Sequence, residues 1–149
     1  MIKKLSMVML GAMVVAFCGA VMQEKQVGAG SAPPLTELQV WAVRSERHPS
    51  YEYLSKNNQC SRYDHGGKWM HIVTREIGIG FSQYAEMGGR KLTLLRRDTI
   101  LFSGSNIVAG WLCYWNASGN ESGTFKYQNT SCNPKGGTFG TMYTKAYIK

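Results

Sequence analysis

The chain has 149 residues, of which 44% are hydrophobic and 17% charged, and its formal net charge is +8. This length fits a single domain with a modest hydrophobic core. The positive charge favours anionic partners such as phosphate polymers, teichoic acids, lipid head groups or nucleic acid. An equally good explanation is that the scattered lysines and arginines serve only to keep the protein soluble.

Residues 1–20 have the three parts of a secretory signal peptide. Two lysines precede the uncharged run Leu5–Phe17, and Cys18-Gly19-Ala20 supplies small residues for signal peptidase. The run is too short for a helix that spans ~30 Å of hydrocarbon with margin. We therefore expect cleavage after Ala20, secretion to an extracellular or periplasmic location, and no transmembrane span afterwards. A retained anchor and a lipoprotein modified at Cys18 are the alternatives.

The rest of the chain is predicted to contain a short leader and one domain. Residues 21–34 are rich in glycine and proline, which predicts a flexible leader outside the core. Residues 35–149 show no internal repeat, so we predict that they form a single β-rich domain.

Alternating polar and apolar residues predict β-strands along most of this domain. No long window shows helical periodicity. In Lys68–Ile79 the alternation places His71 and Arg75 on one face and Glu76 on the other. Many short strands with glycine-rich turns predict an all-β fold, an antiparallel β-sandwich, with a small β-barrel as the alternative. The other predicted strands are Leu38–Val43, Lys91–Leu95, Asp98–Phe102, Asn106–Trp115, Gly123–Asn129 and Thr141–Ile148.

Two connections are harder to assign from the sequence. Residues 116–122 are rich in turn formers, which predicts a hairpin that pairs Ala109–Trp115 with Gly123–Asn129. The segment 81–90 is predicted as either a short helix or one limb of a hairpin that ends at Gly88-Gly89.

Three cysteines would remain after the signal peptide is removed. Cys113 lies in an apolar run, which predicts a buried free thiol that packs as a small hydrophobic residue. Cys60 and Cys132 lie among turn-forming polar residues, and an oxidising compartment favours one pair. We therefore predict a disulfide between Cys60 and Cys132.

Candidate catalytic residues are few. His71, Arg75 and Glu76 supply, within one predicted strand, a general base, a cation and a general acid for a small nuclease. The candidate catalytic residues of a secreted hydrolase or nuclease are His65, His71 and Glu76. Strand alternation separates His71 from Glu76, which weakens this hypothesis. Asp64 with the two histidines lacks the close ligand spacing of zinc motifs, so we expect no metal and no cofactor.

Aromatic residues are a stronger feature than the candidate catalytic groups. Most of them are expected to build the core of a β domain. Those in the polar stretch 51–63 are expected to be exposed, where rings can stack on sugars or bases beside cations. The candidate binding residues are Tyr51, Tyr53, Lys56, Arg62 and Tyr63.

One stretch carries a family resemblance. Tyr114–Gly123, with the sequence YWNASGNESG, resembles the YolA-like proteins, a family of small secreted bacterial proteins. Pro33–Val43, Asp64–Gly67 and Val73–Gly78 are similar to other recurrent stretches of that family. The resemblance implies secretion and a single domain. Because the family is a domain of unknown function, it implies no catalytic residue.

Together, these patterns favour a secreted, non-enzymatic binding protein for an anionic polymer or a glycan surface, acting in envelope or interbacterial interaction. A small secreted hydrolase or nuclease toxin is the alternative from another class, and a membrane-active toxin is a third. Nothing in the sequence argues for a stable nucleic-acid partner.

Overall fold

The computed structural model describes residues 33–132 and 139–149. The signal peptide predicted for residues 1–20 and most of the leader predicted for residues 21–34 lie outside the described residues. The last two leader residues are described. Pro34 forms a bridge to Ile79, whose N–H donates to the carbonyl of Pro33 at 2.8 Å.

The described residues form nine strands in two antiparallel sheets and no helix. The first sheet has the order β2-β1-β3-β7-β6, and the second has the order β5-β4-β8-β9. The strands are β1 (Glu37–Ser45), β2 (Glu52–Tyr53), β3 (Met70–Ile77), β4 (Ser82–Met87), β5 (Arg90–Lys91), β6 (Thr93–Leu101), β7 (Val108–Asn116), β8 (Gly123–Cys132) and β9 (Phe139–Ile148).

The two sheets pack face to face and do not close into a barrel, so the predicted β-sandwich is confirmed. In β3, alternate residues point into the space between the sheets, as the sequence pattern predicts. The inward-facing side chains of both sheets form one core cluster. Its larger members are Val40, Val43, Leu54, Met70, Ile72, Met87, Leu92, Trp115, Phe125, Tyr127 and Ile148.

The hairpin predicted across residues 116–122 is wrong. β7 pairs with β3 and β6, whereas β8 pairs with β4 and β9. The segment between β7 and β8 therefore crosses from one sheet to the other. A turn-forming sequence specifies a reversal of the chain, but it does not specify whether the next strand hydrogen-bonds to the previous one.

The segment 81–90 forms a hairpin limb. β4 and β5 are joined by Gly88-Gly89, where the two glycines have φ of 60° and 73°. Positive φ at both central residues is what a tight two-residue hairpin turn requires, and glycine adopts it without a steric penalty.

The disulfide predicted between Cys60 and Cys132 is absent, because Cys60 carries a free thiol. Cys60 lies beside Tyr147 at one end of β9, and the backbone of Cys132 pairs with Phe139 at the other end. Eight residues of strand separate these two ends by about 27 Å. A disulfide needs Cα atoms within about 7 Å, so the fold keeps the two cysteines apart.

Among the described residues, the structure contains no long apolar helix of the kind that crosses a bilayer.

Candidate functional site

The fold does not bring the three candidate catalytic residues together. His65 is buried in a loop after β2. His71 lies on the outer face of the first sheet, where it is half-buried beside Trp69. Glu76 points into the space between the sheets and has no exposed surface. The three side chains therefore occupy three different environments, and no single reaction centre includes them.

His65 belongs to a buried hydrogen-bonded chain with Ser45 and Glu52. The Ser45 hydroxyl lies 3.2 Å from His65 Nδ1, and Glu52 Oε2 lies 3.0 Å from His65 Nε2. Glu52 also accepts hydrogen bonds from the backbone N–H groups of Arg62 and Tyr63. Burial alone would raise the pKa of Glu52, but the bonds from Arg62, His65 and Tyr63 outweigh it and lower that pKa.

Ser45, His65 and Glu52 are hydrogen-bonded in the order of a hydrolytic triad. In a triad the substrate must be able to reach the serine hydroxyl, and here it cannot. Ser45 and His65 have no exposed surface. The Ser45 hydroxyl also accepts a hydrogen bond from the His48 N–H. A substrate cannot reach this hydroxyl in the folded domain. These three hydrogen-bonded residues therefore anchor the loops after β1 and β2 to the core.

Glu76 is the centre of a polar cluster between the sheets. Its Oε1 accepts hydrogen bonds from Gln83 at 2.8 Å, Arg97 at 3.3 Å and the Cys113 thiol at 3.5 Å. Its Oε2 accepts from the Tyr127 hydroxyl at 2.9 Å and from the Asn129 amide at 2.8 Å. These donors come from β4, β6, β7 and β8. One carboxylate therefore links strands of both sheets.

Burial in this cluster makes its other titratable groups unreactive. Burial, followed by the charge of Glu76, raises the pKa of the Cys113 thiol to about 12. The same two causes, in the same order, raise the pKa of Tyr127. A nucleophilic cysteine needs a lowered pKa and an accessible thiolate. Cys113 has neither, which confirms the predicted buried free thiol.

The most prominent accessible group of side chains lies on the outer face of the first sheet. Strand pairing places Arg44 opposite His71 and Arg96 opposite Tyr114, so that all four share this face. We call this surface the arginine–aromatic face. It consists of Trp41, Arg44, Tyr51, Tyr53, Trp69, His71, Arg75, Arg96 and Tyr114.

Arg44 lies at the centre of this face between two rings. Its guanidinium carbon is 4.7 Å from the ring centre of Tyr51 and 5.6 Å from that of Trp69. Its Nε is buried and has no hydrogen-bond partner among the described residues. A buried donor without an acceptor costs about 1–3 kcal/mol, a cost that the contacts with the two rings offset in part.

Arg96 and His71 lie beside Arg44 on this face. The Arg96 guanidinium lies 4.1 Å from the ring centre of Tyr114 and 3.3 Å from Asp98. Burial, followed by the charges of Arg44 and Arg96, lowers the pKa of His71. Three basic side chains from β1, β3 and β6 therefore lie within electrostatic reach of one another.

An ion-pair network lies at the end of the face where β1 begins. Glu37 accepts hydrogen bonds from both Arg75 and Lys56, and the Lys56 bond is 2.7 Å long. Arg75 also lies over the Trp41 ring at 5.5 Å, and Trp41 meets Tyr53 edge to face at 5.9 Å. Because Arg75 and Lys56 share one carboxylate, half of the positive charge at this end is compensated.

The predicted binding residues divide between two places. Tyr51 and Tyr53 lie on the arginine–aromatic face, and Lys56 lies at its edge. Tyr63 instead stacks on His48 at 4.3 Å, and the backbone of Arg62 is held by Glu52. Sequence reasoning missed the face residues Trp41, Arg44, Trp69, Arg96 and Tyr114. The alternation in β3, which places Trp69 beside His71 and Arg75, was the signal that pointed to an aromatic and basic face.

In residues 33–132 and 139–149, no three His, Cys, Asp or Glu side chains are grouped so that they could hold a metal ion.

Comparison with known proteins places the chain in a family. A search of curated proteins finds no significant match. A family model described as a domain of unknown function, DUF4879, matches residues 28–148, which include every strand of both sheets. The chain therefore belongs to the DUF4879 family.

Proposed function

We propose that this protein is a secreted, non-enzymatic binding domain, and that its arginine–aromatic face binds an anionic, phosphate-bearing polymer of a cell envelope. The observation that carries the proposal is Arg44. Its guanidinium is held between two rings, and none of the ion pairs among the described residues includes it.

The chemistry of the face favours phosphate groups. Guanidinium groups bind phosphate oxygens through paired hydrogen bonds, and they are less costly to desolvate than ammonium groups. Arg44 and Arg96 provide two guanidinium groups within a small area, and the His71 imidazole lies within electrostatic reach of both. From β2 to β6 the face crosses five strands, or about 19 Å at the usual spacing, which accommodates several units of a polymer.

The same contacts favour an envelope polymer over nucleic acid. Guanidinium groups already cover the rings of Tyr51, Trp69, Trp41 and Tyr114. Proteins that bind single-stranded nucleic acid leave aromatic faces open for stacking on bases. Here the rings hold the arginines in place, so the ligand needs anionic groups but no bases.

The hydrolase alternative gains no support from the site. Its candidate residues His65, His71 and Glu76 lie apart, and two of them are buried. The resemblance to the YolA-like proteins stays a prediction, and it agrees with a secreted protein that has no assigned activity.

Binding assays with the purified domain test this proposal. We expect poly(glycerol phosphate) to bind, and dextran, its neutral counterpart, not to bind. With about three phosphates contacted, affinity should fall about 100-fold between 50 and 500 mM salt. Arg44→Ala and Arg96→Ala should each weaken binding about tenfold.

The matched control is Arg90→Ala, because Arg90 lies on β5 of the other sheet. It should retain the parental affinity. Equal losses in Arg90→Ala and Arg44→Ala would contradict a localised site. Tighter binding to single-stranded DNA than to poly(glycerol phosphate) would overturn the choice of ligand.

The pH dependence of binding provides a second prediction. In the free protein, burial and the charges of Arg44 and Arg96 lower the pKa of His71. A bound polyanion offsets the two positive charges, so the complex favours protonated His71. Affinity should therefore rise as the pH falls from 7.5 to 5.5, by about fivefold in titrations at constant salt. His71→Gln should remove this rise, and an unchanged rise in that variant would exclude His71 from the site.

A further inference from the structure

The outer face of the second sheet carries a groove that the proposed function does not use. Its volume is about 430 Å³, within the ~300–1,000 Å³ range of small-ligand sites. The groove runs over β4, β8 and β9. The side chains that line it on this outer face are those of Tyr84, Glu86, Lys126, Gln128, Tyr143 and Lys145.

Strand register explains why these side chains meet. Gln128 on β8 pairs with Tyr84 on β4 and with Tyr143 on β9. Directly paired residues point to the same face of a sheet, so an amide lies between two tyrosines in one cross-strand row. Tyr143 is 71% exposed, which leaves its ring accessible, whereas Tyr84 is 37% exposed and has the Lys91 ammonium 5.8 Å from its ring centre.

The adjacent row carries the charges of the groove. Lys126 on β8 pairs with Glu86 on β4 and with Lys145 on β9. Glu86 is already engaged, because it lies 3.2 Å from the Lys126 ammonium and accepts a hydrogen bond from the Tyr84 hydroxyl at 3.1 Å. Lys145 forms no ion pair with any other described residue. The groove thus has an uncompensated positive charge at Lys145, and a second cation, Lys91 on β5, borders it at Tyr84.

We propose that this groove is a second binding site, and that it takes an acidic saccharide. The apolar face of a sugar ring packs against Tyr143 and Tyr84, where aromatic rings offer large, rigid contact area. The sugar carboxylate pairs with Lys145, and the Gln128 amide bonds a hydroxyl group. The open Tyr143 ring, with Lys145 and the Gln128 amide beside it, fits a sugar acid, whereas a phosphate polymer is better matched by the paired hydrogen bonds of guanidinium groups.

The proposal gives the domain two different binding faces on opposite sides of the sandwich. Because the first sheet carries one site and the second sheet the other, a phosphate polymer and an acidic glycan can bind at the same time. The domain would then link two anionic components of an envelope. This site stands on its own residues, so it does not depend on the function proposed for the first sheet.

Titration with an oligosaccharide of galacturonic acid, followed by NMR or calorimetry, tests this site. We expect saturable binding to the parent protein and at least about tenfold weaker binding to Tyr143→Ala. The parent protein should bind the oligosaccharide more tightly than its methyl ester. Lys145→Gln should bind the two with equal affinity, because the carboxylate has lost its partner. Tyr143 is exposed, so Tyr143→Ala should retain the parental unfolding midpoint, which shows that it is folded.

Two control variants separate this site from other surfaces. Tyr147→Ala removes an exposed tyrosine on β9 outside the groove, and it should bind like the parent. Arg44→Ala, on the other sheet, should also bind the saccharide like the parent. The proposal is overturned by absence of saturable binding, by parental affinity in Tyr143→Ala, by equal affinity of the parent protein for acid and ester, or by loss of binding in Arg44→Ala.

Discussion

Replacing Glu76 with glutamine is expected to destabilise the domain by about 3 kcal/mol. The carboxylate accepts hydrogen bonds from five side chains, and it has no exposed surface. A glutamine amide has only one acceptor oxygen, and its NH₂ group would point at donors. At least two buried donors would lose their acceptor, and each such loss costs about 1–3 kcal/mol.

Urea denaturation at pH 7 measures this effect as a shift in the unfolding midpoint. The control is Glu121→Gln, because Glu121 is 70% exposed and pairs with Arg47 at the surface. That control should change the free energy of unfolding by less than about 0.5 kcal/mol. If Glu76→Gln were as stable as the control, the cluster would not link the two sheets.

Glu76 also shows what the sequence can and cannot predict. The period of two in β3 is enough to place Glu76 and His71 on opposite faces, because side-chain direction depends only on local strand geometry. The partners of Glu76 are up to 53 residues away in the chain. The contacts between Glu76 and these partners depend on how the two sheets pack. A local sequence pattern does not determine that packing.

Strand pairing is the step at which the sequence prediction fails. The strands themselves are predictable from alternation, since each needs one face in the core. The segment 116–122 has the composition of a hairpin turn, yet it joins β7 to a strand of the other sheet. The incorrect disulfide has a similar cause, because Cys60 and Cys132 both border β9, at opposite ends of it.

The arginine–aromatic face could be predicted only in part for the same reason. Trp69, His71 and Arg75 share one face by alternation alone. Arg44 and Arg96 join them because β1, β3, β7 and β6 are neighbours in that order. Tyr51 and Tyr53 could be identified from their polar sequence neighbours, because a polar stretch is expected to lie at the surface and to expose its aromatic residues. Tyr114 could not, because its strand is apolar on both sides.

The second large effect is expected at Glu52, and it should depend on pH. Hydrogen bonds from Arg62, His65 and Tyr63 overcome the opposing effect of burial and lower the pKa of Glu52 below its usual 4.5. A carboxyl group whose pKa is lower in the folded state stabilises that state fully above the unfolded pKa. This stabilisation is lost as the pH falls below 4.5 and through the folded value.

Glu52→Gln should therefore be less stable than the parent by about 2 kcal/mol at pH 7, because an ionised, buried acceptor of three hydrogen bonds is replaced by a neutral one. Denaturant unfolding of both proteins from pH 7 to pH 3 should show the difference shrinking below pH 4.5. Glu121→Gln, at an exposed ion pair, should track the parent at every pH. A difference that stays constant down to pH 3 would mean that glutamine disturbs the loop by shape rather than by charge.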